Sequence, residues 1–178
     1  MPIRDTDTRA VTLVDIPLVM RLVERGVVLD SELGFTRDAH GPNGGVFSAV
    51  LLPSRGLHTL VTRAGGQHAL GQFRLKSDDA NARLVYLAPE PQPGSDDSVW
   101  LSLLDAMARE AGKHSAHVLV AEVDEDSFLF ETMRTSGFAV YARQQIWRRL
   151  PGYSPLVDAD IDLARLDDTD SPGIYTLL

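Results

Sequence analysis

One stretch limits the fold more than any other, because it places a helix pattern between two strand-like runs. Apolar residues recur at helical spacing from Trp100 to Ala111, and Gly112 follows where a helix would end. Arg83–Ala88 precedes this helix and His117–Val123 follows it. The second run is almost continuously apolar, which is typical of a strand buried on both faces. Two strands joined by a helix favour a right-handed parallel crossover.

An antiparallel meander is predicted before that crossover. Strand-like runs at Leu57–Arg63 and Ala69–Lys76 flank Gly65-Gly66, a hairpin signal. A turn at Asp78–Asn81 leads into the strand at Arg83–Ala88. Together these patterns predict an α/β (α+β) fold with a mixed, mostly antiparallel sheet, one parallel βαβ crossover and helices on both faces.

Further elements are predicted on either side of this centre. A first amphipathic helix runs from Val14 to about Arg25, where Thr12 and Asp15 can form a capping box and Gly26 can end the helix. The stretch between residues 28 and 45 is rich in glycine and is expected to form a loop. The remaining predicted elements are a short helix, a helix stopped by Gly137 and a long last strand, at Val46–Leu52, Asp126–Thr135 and Phe138–Arg149.

Composition excludes several classes of function. The chain has no cysteine, which excludes disulfide scaffolds, thiol nucleophiles and cysteine-based metal sites. Its five histidines are scattered, so no metal site is predicted. A formal charge of -8 and a pI of about 5.0 argue against a nucleic-acid surface. The longest uncharged apolar run, Val46–Pro53, is too short to span a bilayer, so we expect no membrane partner and a cytoplasmic setting.

Two motifs resemble the GNAT acyltransferase superfamily. Thr8-Arg-Ala-Val-Thr-Leu-Val-Asp-Ile16 is similar to the family's opening, in which a first strand leads to an Asp at the start of helix one. Asp126-Ser-Phe-Leu-Phe-Glu-Thr-Met-Arg-Thr-Ser-Gly-Phe138 resembles the family's Asn…Tyr-x-x-x-Gly-Phe helix. The resemblance covers about residues 8–149. It implies an acyl-CoA-dependent N-acyltransferase fold that holds acetyl-CoA between two splayed parallel strands, here Arg83–Ala88 and His117–Val123.

The resemblance also implies where the cofactor would bind. In the family, a loop of the form Arg/Gln-x-x-Gly-x-Gly/Ala opens a helix, and its backbone N–H groups hold the pyrophosphate, since a helix N-terminus offers unpaired donors. The matching positions here are Leu87 at the strand end, Gly94 and Ser95 in the loop, and Asp126 in place of the family's Asn.

The loop at Glu90–Asp97 departs from that pattern. Three prolines at positions 89, 91 and 93 have no N–H to donate, and Asp96 and Asp97 stand where phosphates would arrive. The same two carboxylates would suit the first turn of a helix with Ser95 as its N-cap. Either way, the acetyl-CoA site is expected to be degraded.

Catalytic groups are also sparse. The resemblance places a general-acid Tyr four residues before the glycine of the last helix, but that residue here is Met133, which has no proton to give. We expect Met133 to pack inward beside Leu129, one helical turn away, against the final strand. Tyr86 and Glu122 are the remaining candidates for acid or base. Their structural alternatives are a core aromatic and a charge at the sheet edge.

The composition shifts after residue 150. We predict a GNAT-like domain at 1–150, a linker at 151–159 and a C-terminal segment at 160–178, where acids outnumber bases. Asp15-Ile-Pro-Leu-Val-Met-Arg-Leu22 and Asp170-Ser-Pro-Gly-Ile-Tyr-Thr-Leu177 share the pattern Asp-x-Pro-x-(Val/Ile)-x-x-Leu. The segment is thus either the start of a second GNAT-like domain or a tail along the sheet edge.

Three functions remain open at this point. The first is a GNAT-like domain with a degraded donor site, serving as part of a larger acyltransferase-like protein. The second is a working acetyl-CoA-dependent N-acyltransferase for a small-molecule or protein amine, acting mainly by positioning its reactants. The third is a non-catalytic module for a ligand or protein. The expected partners are a small-molecule ligand, a second GNAT-like domain or a second copy of the chain.

Overall fold

The structure is a computed structural model that describes residues 7–31, 56–76, 79–147 and 152. The helix predicted at Val46–Leu52, the glycine-rich loop from residue 32 onward and the segment at 160–178 lie outside the described residues, as does the linker apart from Gly152. The chain divides into two compact units, Met1–Val140 and Tyr141–Leu178. Every helix and strand named below belongs to the first unit.

Six strands and three α-helices lie wholly within the described residues. A 3-10 turn at Leu13–Asp15 leads directly into the first helix. In chain order the elements are β1 (Asp7–Ala10), α1 (Ile16–Val23), β2 (Val27–Val28), β3 (Leu57–Ala64), β4 (Gln67–Arg74), β5 (Asn81–Ala88), α2 (Ser98–Lys113), β6 (Val118–Val120) and α3 (Phe128–Thr135).

The sheet is mixed, as predicted. Its strands follow the order β1-β3-β4-β5-β2, with every neighbouring pair antiparallel. The exception is β6, which pairs with β5 in parallel. The predicted fold class, a mostly antiparallel sheet with one parallel βαβ crossover through α2, is therefore confirmed.

Helices cover both faces of the sheet. On one face, Val19 of α1 packs with Leu70 and Tyr86. On the other face, α2 and α3 pack over Phe73 and Leu84 in the larger core. Gly71 lies beneath α2, and a Cβ at that position would collide with the sulfur of Met107. The absence of a side chain at Gly71 therefore lets α2 lie close against the sheet.

The predicted capping box of Thr12 and Asp15 is present, but it caps the 3-10 turn that leads into α1, and the helix is shorter than expected. The Asp15 carboxylate accepts hydrogen bonds from the Thr12 N–H and hydroxyl, both at 2.8 Å. Arg9 on β1 also donates two hydrogen bonds to this carboxylate, at 2.6 and 2.7 Å. These bonds hold the pKa of the Asp15 carboxyl far below its usual range. The helix itself ends at Val23, three residues before Gly26.

Two predictions at the other end of the sheet are wrong. β6 is only Val118–Val120, and Val118 is 50% exposed rather than buried. In the described part of the chain β6 pairs only with β5, so its outer side is not covered by a further strand. No strand is found at residues 138–147, the described part of the predicted last strand. A strand exists only through pairing, and none of the described strands pairs with this segment.

Candidate active site

The outer edge of β5 is shared between two different neighbours. In its first half, Asn81, Ala82 and Arg83 pair in parallel with β6. In its second half, Leu87 and Tyr86 pair in antiparallel fashion with Val27 and Val28 of β2. The chain therefore places its own residues 27–29, which we call the closing segment, along the part of β5 that lies beyond the end of the β6 pairing.

Backbone hydrogen bonds attach the closing segment on both of its sides. The Leu29 N–H donates to the Val85 carbonyl at 3.0 Å, on the side of β5. The Leu29 carbonyl accepts from the Glu122 N–H at 3.1 Å, on the side of the chain that follows β6. The closing segment thus fills the interval between the two strands that the resemblance implies to be splayed.

Residues just before the closing segment are tied to the end of β5 as well. The Glu90 N–H donates to the Arg25 carbonyl at 2.8 Å. Gly26 lies so close to β5 that a Cβ there would collide with the Tyr86 phenol and come within 2.8 Å of the Leu87 carbonyl. Only glycine allows this approach, so the sequence at position 26 is suited to closing the interval.

Tyr86, a candidate catalytic group, lies in the core and has its hydroxyl committed. The side chain is 2% exposed, and its hydroxyl donates to the Val23 carbonyl at 2.5 Å. Burial raises the pKa of the Tyr86 phenol to about 12. A buried phenol that already donates to a helix carbonyl is a structural group, which favours the core-aromatic alternative.

Glu122, the second candidate, binds the chain that follows the closing segment. Its Oε2 accepts from the Ser31 N–H at 2.7 Å, and its Oε1 lies 3.9 Å from Nη1 of Arg83. The side chain is about 30% exposed. Its carboxylate is therefore engaged in structural bonding rather than held free to act as a base.

Sequence reasoning missed a second carboxylate in this region. Asp30 is 4% exposed and accepts a hydrogen bond from Nη2 of Arg74 at 3.1 Å. Asp30 follows a two-residue strand inside a glycine-rich stretch, so neither periodicity nor a motif marks it in the sequence. The apolar Val27-Val28 pair directly before it is the one local signal that could have indicated a strand.

The loop that precedes α2 arranges its own side chains around the helix start. The carboxylate of Asp96 accepts from the Ser98 N–H at 3.0 Å, so one of the first free donors of α2 is already used. Asp97 is the N-cap residue, and its buried Oδ1 has no hydrogen-bond partner among the described residues. The prediction that Ser95 caps the helix is wrong, because α2 begins three residues later and the Ser95 hydroxyl instead donates to the Gln92 carbonyl at 2.6 Å.

Gly94 and Leu87 are the other two positions near this loop that the resemblance implies for the cofactor, and they differ in exposure. Gly94 has a positive φ of 80° in the exposed turn before α2. Leu87 is fully buried, and its backbone pairs with Val27 on the outer side and Gly71 on the inner side. The strand edge at Leu87 is therefore occupied within the chain itself.

The last predicted position, Asp126, does not begin a helix. α3 starts at Phe128, and its N-cap is Ser127, whose hydroxyl accepts from the Phe130 N–H at 3.3 Å. Asp126 is exposed, and its N–H donates to Asp124 at 3.1 Å. A hydroxyl next to the helix caps it directly, so Asp126 has no capping role.

Met133 packs inward, as predicted. It is 3% exposed, and both it and Leu129 belong to the core beneath α2. The expectation that they pack against a final strand is wrong, because the described residues after α3 form no strand. The position of the family's general acid is thus an apolar core position in this chain.

The described part of the chain shows neither a metal cluster nor a membrane-spanning helix. Across residues 7–31, 56–76 and 79–147, no group of three or more His, Asp or Glu side chains is placed to hold a metal ion. Within the same ranges, none of the helices has the length and apolarity needed to cross a membrane.

Comparisons with known proteins bear on the fold. No family model matches the chain, and no curated protein matches its sequence. Among solved structures, a protein of Thermus thermophilus has 16% identity and a TM-score of 0.53, over 83% of this chain and 99% of the other. An aminoglycoside acetyltransferase from an uncultured soil metagenomic sample, in complex with trehalose, has 12% identity and a TM-score of 0.55, over 84% and 97%.

A third solved structure is aminoglycoside N-acetyltransferase AAC(6')-Iy in complex with CoA. It has 14% identity and a TM-score of 0.56, and the match covers 84% of this chain and 98% of the other. At such identities the likeness concerns the fold alone. The predicted GNAT-like fold is confirmed by these neighbours.

Proposed function

We propose that this GNAT-fold chain is an acyltransferase-like domain whose acetyl-CoA site is closed by its own backbone, so that in this form it does not transfer acyl groups. One observation carries the proposal. The closing segment, residues 27–29, occupies the interval between β5 and β6 in which the resemblance places the acyl-CoA donor.

The hydrogen bonding of the closing segment supports this proposal. An extended donor entering the interval needs the free backbone groups of β5 beyond Leu84. Here the Val85 carbonyl is taken by Leu29, and residues 86 and 87 are paired with β2. A donor would have to replace all of these contacts, and each backbone group left unpaired in a buried site costs about 1–3 kcal/mol.

The loop before α2 supports the proposal independently. Asp96 already takes the Ser98 N–H, and Asp97 lies beside it. Between Arg83 and Arg109 the sequence has no Lys or Arg. Two unit charges ~5 Å apart at an effective dielectric of ~20 repel by roughly 3 kcal/mol. A pyrophosphate arriving here would meet carboxylates rather than free donors.

The groups available for catalysis point the same way. Tyr86 donates to a helix carbonyl, Glu122 is bound to Ser31, and Met133 is buried among apolar side chains. None of the three is positioned as a free acid or base. A domain of this kind would be the non-catalytic companion of a second GNAT-like domain, or a module that binds a small molecule or a protein.

A second function is favoured by one observation, the likeness of the fold to AAC(6')-Iy, whose solved structure holds CoA. On this alternative the chain is an acetyl-CoA-dependent N-acetyltransferase that acts on an amine, with the protein mainly positioning the reactants. The closing segment would then have to leave the interval before acetyl-CoA binds.

Thermal unfolding of the intact chain with acetyl-CoA separates the two functions. At about 1 mM ligand, a dissociation constant of about 10 µM would stabilise the fold by about 2.7 kcal/mol. For a chain of this size that corresponds to a rise in Tm of roughly 5–10 °C. We expect no rise, and calorimetric titration should give no saturable heat. A rise of that size would overturn the proposal and support the enzyme, with a known acetyl-CoA-binding acetyltransferase as positive control.

A further inference from the structure

The strand pairing of the closing segment is too short to account for its position. β2 has two residues, and its register with β5 involves two pairs. Isolated strands of this length have little stability of their own. What holds the segment must therefore include the side chains at its end, where Leu29 leads into Asp30 and Ser31.

One of these side-chain anchors is a buried ion pair. Asp30 directly follows the closing segment and is 4% exposed, while Nη2 of Arg74 at the end of β4 lies 3.1 Å from its Oδ2. Arg74 is itself 39% exposed. A buried carboxylate needs cationic or hydrogen-bonding partners, so losing the Arg74 guanidinium weakens the compensation of the Asp30 charge. The pair thus fixes the end of the closing segment to the central sheet.

A second anchor comes from the chain just after β6. Glu122, just after β6, accepts from the Ser31 N–H through its carboxylate and donates its own N–H to the Leu29 carbonyl. The guanidinium of Arg83 on β5 lies 3.9 Å from the other carboxylate oxygen. Glu122 therefore binds both the end of the closing segment and the residue that follows Asp30.

These contacts lead to an inference that rests on the proposed function. We propose that Asp30 and Glu122, with Arg74 and Arg83 as their cationic partners, form an autoinhibitory latch that keeps the closing segment between β5 and β6. Release of the latch frees the outer edge of β5 at residues 85–87 without unfolding the sheet. The latch makes closure an adjustable state of the domain, since two carboxylates at the end of the segment act together with the buried side chain of Leu29.

The test is hydrogen–deuterium exchange of the intact chain without ligand, comparing Arg74→Met and Glu122→Ala with the unmodified protein. Asp105→Asn is the matched control, since Asp105 pairs only on the surface of α2 with Arg109. In both latch variants we expect exchange of the amides at residues 27–31 to rise roughly tenfold, while the amides of α2 change by less than about twofold. Two variants are used because either anchor can be removed without touching the other, and Arg74 and Glu122 are both partly exposed.

Unchanged exchange at residues 27–31 in both variants would overturn the latch, and so would a rise of equal size throughout α2. The control should leave both regions as they are in the unmodified protein. Because no ligand is present, this result is independent of the proposed function. Acetyl-CoA binding by the unmodified chain would sink the closed-site proposal, whereas the exchange data alone decide whether the latch exists.

Discussion

The two halves of the outer edge of β5 lie on one strand and yet behave differently. The first half pairs with β6, and the helix α2 connects the two strands. The apolar periodicity of α2 predicts this arrangement. The second half pairs with β2, a two-residue strand that follows α1 in the chain. Leu84 and Leu87 are equally buried in the same core. The burial of a strand's side chains therefore does not determine which strand pairs with its free edge.

The two halves of the β5 edge are also held by different contacts. The first half is held by the parallel crossover, which depends on α2 and the core. The second half is held by Gly26, by the buried side chain and backbone bonds of Leu29, and by carboxylates at the segment's end. Changes to the core should therefore affect both halves, whereas changes around the closing segment should affect the second half alone.

The largest expected effect comes from Leu84→Ala, at the point where the two halves meet. Leu84 is fully buried, so its truncation should lower the free energy of unfolding by about 2–5 kcal/mol. Chemical denaturation measures this loss, and hydrogen exchange should show both halves of the β5 edge losing protection together. Loss of protection in the second half alone would contradict the shared-core interpretation.

Gly26→Ala should separate the halves. The added methyl would collide with the Tyr86 phenol, so we expect a loss of about 1–3 kcal/mol in stability and faster amide exchange at residues 27–29. Gly112→Ala is the matched control, because a Cβ there meets nothing within 4 Å. The control should keep or slightly raise the stability, as alanine favours a helix. Equal losses in the two variants would show that the close approach at Gly26 is not what matters.

Tyr86→Phe removes a hydroxyl at the contact between α1 and the second half. The Val23 carbonyl loses its donor, which should cost about 1–2 kcal/mol. Burial raises the phenol pKa to about 12, so stability is fully present below the unfolded value of ~10 and is lost as pH rises toward 12. Denaturation at increasing alkaline pH should show this decline in the unmodified chain and a weaker decline in the variant. Identical pH profiles of the unmodified chain and Tyr86→Phe would contradict this role of the Tyr86 phenol.

Asp15→Asn should have the smallest effect of the four, because the amide oxygen of asparagine can still accept some of the hydrogen bonds that Thr12 and Arg9 donate. We expect a loss of about 1 kcal/mol at neutral pH. The bonds to Arg9 and Thr12 depress the Asp15 pKa, so the stability they contribute is present above ~3.9 and is lost as pH falls below it. Acid denaturation should therefore be less steep in the variant. A variant as acid-sensitive as the parent would count against this role.

The sequence predicted the parts of the fold that obey a regular pattern. The hairpin at Gly65-Gly66 and the helix around Leu103 and Met107 appear where their periodicity places them. β2 was not predicted, because two residues carry no periodicity and become a strand only through pairing with Tyr86 and Leu87. The candidate site shows the same limit. The loop's departure from the family pattern is visible in the sequence, whereas the closing segment depends on contacts between residues far apart in the chain.

The strand predicted at Phe138–Arg149 failed for a related reason. Its residues include valine, tyrosine, isoleucine and tryptophan, which favour strands. Such preferences express how well a side chain suits a paired, half-buried surface, and residues 138–147 form no strand in the structure. A preference without a partner does not make a strand.

The placement of Trp100 gives the domain a built-in optical reporter. Its indole is 5% exposed and donates to the Pro89 carbonyl at 2.9 Å, in the loop that joins β5 to α2. The second tryptophan of the chain, Trp147, is 89% exposed. A soluble quencher such as acrylamide should suppress the emission of Trp147 and leave that of Trp100. The remaining fluorescence then follows the environment of the loop, so entry of any ligand beside Pro89 would be seen as a change in emission wavelength without a chemical label.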